Sequence, residues 1–250
     1  MKDCPRLFAD PATQPPMEAD AVRDLTPGQA HYLGTVLRLG VGDEVALFNP
    51  RDGEWLARIE AMRRDRGQVR LLRQRRAAEP VAGPVLLFAP LKRDATDMVV
   101  RMGTELGVTR FLPVLTERTN THRVNEARLE TIAGEAAEQC ERLDVPAIDA
   151  PRRLADRLGE WPPERRLFVA AERADRRGGA GGIEDVADGD GLLVGPEGGF
   201  SDVEVNMLRA RPFVRMISLG GLILRADTAV ACGLSLMGAG LRRVSGAGSR

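Results

Sequence analysis

The sequence predicts an α+β chain in two parts, a small β-barrel followed by an α/β domain. Three observations predict it: apolar and polar residues alternate with period two between Asp43 and Arg76, a break of linker composition follows (AAEPVAGP, residues 77–84), and beyond it apolar runs alternate with amphipathic stretches. The chain has 250 residues, 43% hydrophobic and 29% charged. That is ordinary globular composition, and it excludes disorder, collagen and a disulfide scaffold.

The first domain, residues 1–76, rests on strands such as Glu44-Val45-Ala46-Leu47-Phe48 and Trp55-Leu56-Ala57-Arg58-Ile59-Glu60, separated by the turn signals Asn49-Pro50-Arg51-Asp52-Gly53 and Asp65-Arg66-Gly67. A further strand around Arg6-Leu7-Phe8 completes the barrel, with a helix over residues 31–39 beside it. After the linker the second domain, residues 85–250, opens with a strand over 85–89 and a helix over 95–106, whose Met98, Val99, Met102 and Leu106 share a face. Further strands are expected over 110–115, 147–150, 167–171, 192–194 and 214–219, with helices between most of them. Residues 176–182 (RRGGAGG) read as a mobile loop with no assigned chemistry. Ser201 followed by Glu204 is a capping box that starts a helix directly after a glycine cluster. The last helix, over 227–242, is apolar almost all round, as a helix buried in a core or between subunits would be.

Several function classes are excluded. Cys4, Cys140 and Cys232 are odd in number and widely spaced, which fits reduced thiols, and with only His31 and His122 as histidines no metal site is expected. No apolar stretch reaches the roughly 20 residues of a membrane span, and the first ten residues do not read as a leader, so a soluble cytoplasmic protein is expected. GxxxxGK[ST], GxGxxG and GxSxG are all absent. Of the 36 basic residues only Lys2 and Lys92 are lysines, which leaves little for Schiff-base chemistry. Net charge is zero, but residues 63–76 carry seven arginines against one aspartate. That run reads either as a solvated strand edge or as a phosphate-binding strip.

Two stretches carry chemistry. In Leu192-Leu193-Val194-Gly195-Pro196-Glu197-Gly198-Gly199-Phe200-Ser201 a buried strand ends in a glycine-rich turn and a helix start, the place where open α/β sheets bind ligands. In Ile217-Ser218-Leu219-Gly220-Gly221-Leu222-Ile223-Leu224-Arg225-Ala226-Asp227-Thr228-Ala229 a strand and glycines lead into an apolar segment too short for an element, which reads as a buried loop whose backbone groups need a partner.

Together LLVGPEGGF and SLGGLILRADTA resemble the SPOUT class of S-adenosylmethionine-dependent RNA methyltransferases. With HYLGTVLRLGVGDEVALFN, LKRDATDMVVRMGTELGV, LTERTN and EAAEQCER in order, nearly the whole chain resembles the RsmE family, which methylates N3 of a uridine in bacterial 16S ribosomal RNA. The resemblance implies a PUA-like RNA-binding barrel, an α/β domain with a deep trefoil knot over about residues 190–243, and a homodimer acting on the small ribosomal subunit. It implies a donor site with Leu193, Gly195, Pro196, Glu197, Gly198 and Gly199 on one wall and Leu219, Gly220, Ile223, Leu224, Thr228 and Ala229 on the other. Arg225, Asp227 and Glu197 are the implied catalytic residues, and Arg6, Arg38, Lys92, Arg118 and Arg142 the implied RNA contacts. The chain departs from the family pattern in having Gly221-Leu222 for Pro-Arg, Asp227 for Glu, Arg93 for Gly and Glu141 for a small residue.

N3 of uracil must lose a proton before it attacks a methyl group, and it lies on the Watson–Crick edge, so the base must first be unpaired or flipped. Arginine is a poor base, but its fixed charge favours the uracil anion. Arg225 is expected to fill that role with Asp227 orienting it, and the proton acceptor is Glu197, Asp227 or water. Phe8, Tyr32 and Trp55 read as core before they read as base-stacking residues. Two other readings remain: a SPOUT enzyme with another RNA target, and a non-catalytic RNA- or ribosome-binding assembly factor.

Overall fold

The structure is a computed structural model in which residues 4–171, 182–183 and 185–247 are described. It divides into two units, Met1–Val81 with Ala137–Val145, and Ala82–Ala136 with Pro146–Arg250. The division after Val81 falls inside the expected linker. The return of Ala137–Val145 to the first unit is a feature that a contiguous boundary does not anticipate.

The first unit is a five-stranded sheet of β1 (Arg6–Phe8), β2 (Val22–Asp24), β3 (Glu44–Asn49), β4 (Gly53–Arg63) and β5 (Arg66–Arg76), in the order β1-β3-β4-β5-β2. β1 runs parallel to β3, and the other pairs are antiparallel. Period two does what it predicts: Val45 and Leu47, Ala57 and Ile59, Val69 and Leu71 all enter one core with Leu7, Leu25 and Leu33. Three register shifts between β4 and β5 add local twist that lets the sheet wrap this core. Phe48 belongs to a second cluster with Ala137, Leu143, Phe8 and Val145, which is what the returning segment covers.

The helix expected over 31–39 begins earlier, as α1 (Pro27–His31), and continues as a π-helix over Tyr32–Val36. Its start was legible: Thr26 caps the Gln29 amide, the Gln29 side chain returns the bond, and Pro27 opens the first turn. Trp55 packs partly into the core and donates its Nε1–H to Asp52 O at 3.0 Å, and Phe8 packs on Phe48. Tyr32 does not join them, being 40% exposed, which corrects its assignment to the core.

The second unit is an all-parallel sheet of β6 (Val85–Phe88), β7 (Arg110–Leu115), β8 (Ala147–Ile148), β9 (Arg152–Arg153), β10 (Leu167–Ala170), β11 (Gly191–Val194) and β12 (Val214–Ile217). The order is β12-β10-β11-β6-β7-β8, with β9 also paired to β7. Its central strands are buried on both faces, as parallel strands between helices are. Around them lie α2 (Arg93–Glu105), α3 (Glu126–Gln139, whose last residues belong to the first unit), α4 (Leu154–Glu160), α5 (Asp202–Arg209) and α6 (Ala226–Ala247). The strand expected over 147–150 is only two residues long, and the one over 214–219 stops at Ile217, where the backbone leaves the sheet to form a loop. Residues 176–181 of the expected mobile loop lie outside the described residues. Among the described residues no helix is long and apolar enough to cross a membrane.

Candidate functional site

Three neighbouring strands end at one level, since Ala170 of β10 is in register with both Val194 of β11 and Ile217 of β12. Beyond those ends lies a cavity of about 420 Å³. Its floor is Ala170, Ala171, Val194 and Ile217, and its walls are the two loops that follow β11 and β12. A cleft outside the carboxyl ends of parallel strands is where an open α/β sheet offers backbone groups to a ligand.

The first wall is Gly195, Pro196, Glu197, Gly199 and Phe200. The chain turns back on itself here, with the Gly199 amide donating to Pro196 O at 2.8 Å and Gly199 in the left-handed region at φ 69°. α5 starts directly afterwards as its capping box requires, the Ser201 side chain taking the Glu204 amide and the Glu204 carboxylate taking the Ser201 amide at 2.9 Å. The second wall is residues 218–224 together with Ala229. Leu222 and Ile223 are 79% and 74% exposed, so the loop is less buried than its apolar sequence suggests. Glu197 is the single ionisable side chain lining the cavity, among the described residues.

Most of the expected donor-site positions meet here: Gly195, Pro196, Glu197, Gly199, Leu219, Gly220, Ile223, Leu224 and Ala229 all line the cavity. Three do not. Leu193 is fully buried in the core beneath, because a strand buried on both faces gives no sign of which residue faces a ligand. Thr228 is exposed and turns its amide and hydroxyl to Asp227 Oδ1, at 2.7 and 3.3 Å. Gly198 faces away, against the Arg118 side chain.

Arg225 lies at the lip rather than in the lining. Its carbonyl accepts the Ala229 amide at 2.8 Å, which fixes its backbone as the cap of α6, while its side chain is 79% exposed. Asp227 Oδ1 lies 3.7 Å from Arg225 Nε and the Asp227 carboxylate is largely buried. The pair is a firm backbone carrying a guanidinium free to meet a ligand.

The expected RNA contacts separate. Lys92, at the cap of α2, and Arg38 are exposed. The Arg6 side chain is only 8% exposed, its Nε donating to Glu54 at 2.7 Å and its other nitrogens to the carbonyls of Ala137, Glu138 and Arg142, so little of it is left to meet phosphate. Arg142 is half-buried and paired with Asp144 at 2.6 Å. Arg118 is exposed, yet donates to Gly198 O at 2.9 Å and Phe200 O at 3.4 Å. Nothing near Arg6 or Arg118 in the sequence reveals these fates, because both depend on carbonyls far away along the chain.

A family model described as an RNA methyltransferase domain matches residues 79–238, and one described as an RNA methyltransferase PUA domain matches residues 25–72. "Ribosomal RNA small subunit methyltransferase E" of Rickettsia conorii is 35% identical over 201 residues, covering 80% of this chain and 82% of that protein. The protein of the same name from Synechocystis is 33% identical over 226 residues, covering 88% and 74%. Among solved structures, a methyltransferase from Legionella pneumophila in complex with bound SAM is 26% identical, with a TM-score of 0.79 over 95% of this chain and 98% of that one. With the second unit matched almost throughout and both relatives covered over most of their length, the chain belongs to the ribosomal RNA small subunit methyltransferase E family, the RsmE family of SPOUT proteins.

Proposed function

We propose that the chain transfers a methyl group from S-adenosylmethionine (SAM) to N3 of a uridine in 16S ribosomal RNA, acting in the cytoplasm on the small ribosomal subunit as a homodimer. The observation that carries the reading is the cavity at the ends of β10, β11 and β12, walled by two glycine-containing loops and holding one carboxylate. Its residues suit SAM: apolar side chains and open backbone fit an adenosine and a methionine chain, and Glu197 complements a positive sulfonium. The reading includes the deep trefoil knot across residues 190–243, in which these loops are the knotted segments. Leu222 and Ile223, apolar and exposed at the rim, are the surface a second copy would cover.

When bound, the donor supplies an electrophilic methyl group. The loops would hold it, with Leu219, Ile223 and Leu224 offering the apolar part of the wall. Arg225 stays protonated and stabilises the negative charge that spreads over the uracil imide as N3 loses its proton, and the N–CH3 bond would form as the S–CH3 bond breaks to leave S-adenosylhomocysteine. Asp227 restrains the guanidinium from the α6 side. The proton leaves to Glu197, Asp227 or water.

Glu197→Gln keeps the shape of the cavity and removes its charge. SAM is expected to bind on the order of five- to tenfold more weakly, whereas S-adenosylhomocysteine, which lacks the sulfonium, changes less; calorimetry with both ligands checks this. The function is tested by incubating the protein with isotopically labelled SAM and small subunits lacking native methylation, then identifying the labelled nucleoside by mass spectrometry. Label in 3-methyluridine is the expected result. Label in another nucleoside would move the target, and donor binding without transfer would make the protein an assembly factor.

A further inference from the structure

We infer that Arg118 is a positioning residue for the donor cavity, resting on the reading of that cavity as the SAM site. It stands in the turn after β7, and its Nη1 donates to both carbonyls that flank the left-handed Gly199, at Gly198 and Phe200. Pro196, Glu197, Gly198 and Gly199 form a turn whose own closure is the single bond from the Gly199 amide to Pro196 O. Two adjacent glycines give such a turn many alternatives, and each alternative points its peptide groups differently. One guanidinium bonded on both sides of Gly199 removes most of them and fixes which backbone groups face the cavity.

The turn that carries Arg118 is itself anchored. Thr116 and Thr119 are buried, their hydroxyls 2.8 Å apart, and the Thr116 amide donates to Thr119 Oγ1 at 2.9 Å. The Glu117 amide donates to Glu204 Oε1 at 2.8 Å, while Oε2 of the same carboxylate takes the Ser201 amide. Glu204 is therefore more than a helix cap. It is a buried carboxylate joining the start of α5 to the turn after β7, satisfied by two amides as a buried charge must be. The neighbouring Glu117 and Arg118 therefore hold one segment from one turn, Arg118 at Gly198 and Phe200 and the Glu117 amide at Glu204. Side-chain packing agrees, since a Cβ placed on Gly198 would lie 3.3 Å from Arg118 Cβ.

An arginine assigned to RNA from sequence is thus assigned to the donor loop, and the two roles give opposite results. In the full-length chain, Arg118→Ala is expected to raise the SAM dissociation constant and the KM for SAM about tenfold, with kcat at saturating SAM changed less than about threefold. Affinity for unmethylated 16S RNA, measured by filter binding, stays at the wild-type value. Gly198→Ala keeps the arginine and its charge but puts a methyl 3.3 Å from Arg118 Cβ, so the side chain must shift by a few tenths of an ångström against the loop, and SAM binding should weaken in the same direction but by less, with RNA binding intact. RNA affinity lost with SAM affinity retained in Arg118→Ala, or SAM affinity retained in both variants, would overturn the inference. A wild-type chain that binds no SAM would instead overturn the reading of the cavity on which it rests.

Discussion

Arg225→Ala is expected to lower kcat for methyl transfer by about a hundredfold while leaving SAM affinity within about twofold. The reason is where the side chain stands. Its backbone caps α6 and does not depend on the guanidinium, and the side chain lies outside the cavity lining, so its removal touches neither the fold nor the donor wall. What is lost is a fixed positive charge at the lip, where on the proposed function a uracil imide would become an anion. The effect belongs in turnover because that charge develops only as the reaction proceeds. Arg225→Lys keeps the charge but loses the planar fork, and is expected to recover part of the activity. Single-turnover rates at saturating SAM decide the matter, and an unchanged rate for Arg225→Ala would remove Arg225 from the chemistry.

The second large effect is on stability. Arg6→Ala should destabilise the first unit by about 3 kcal/mol, because it removes the nearer of two arginines from a buried carboxylate, leaving Arg75 at 3.5 Å, and takes the donor from three backbone carbonyls at once. Glu54 is 4% exposed and takes the Arg6 Nε–H. The carbonyls of Ala137 and Glu138 lie in the last turn of α3 and take Arg6 Nη1 at 3.1 and 3.0 Å, so Arg6 serves as a cap of that helix. The guanidinium also lies 4.2 Å from the centre of the Phe48 ring, over which it stacks. Thermal unfolding followed by circular dichroism should show an earlier transition in Arg6→Ala, and SAM binding, which is proposed for the second unit, should survive below that transition. A melting curve identical to wild type would contradict the assignment.

These two arginines mark how far the sequence could be read. Period-two alternation placed β3, β4 and β5, and the Ser201–Glu204 box placed the start of α5, because in each case the deciding interactions lie within a few residues. The two loops of the cavity were legible for a similar reason: strand, glycines and helix start follow one another directly. Residues whose surroundings come from afar were not. Arg6 finds its partners 48 to 136 positions away, and nothing near it in the chain separates a buried arginine from a phosphate contact. β2 has three residues with an exposed, partly buried, exposed pattern and owes its existence to pairing with β5. Leu193 sits in a strand apolar at every position but the first glycine, so alternation could not say that it faces the core and not the ligand. Arg118 was found by its motif, but its direction toward the Gly198 and Phe200 carbonyls depends on the crossing of two loops about 80 residues apart.

On the proposed function SAM occupies the cavity between the loops after β11 and β12. Amide hydrogen exchange with and without SAM tests it without requiring RNA. Slowed exchange is expected in residues 194–200 and 217–229, with the sheet of the first unit unchanged; saturation with SAM that leaves both loops unprotected, or protects a different part of the chain, would place the donor elsewhere.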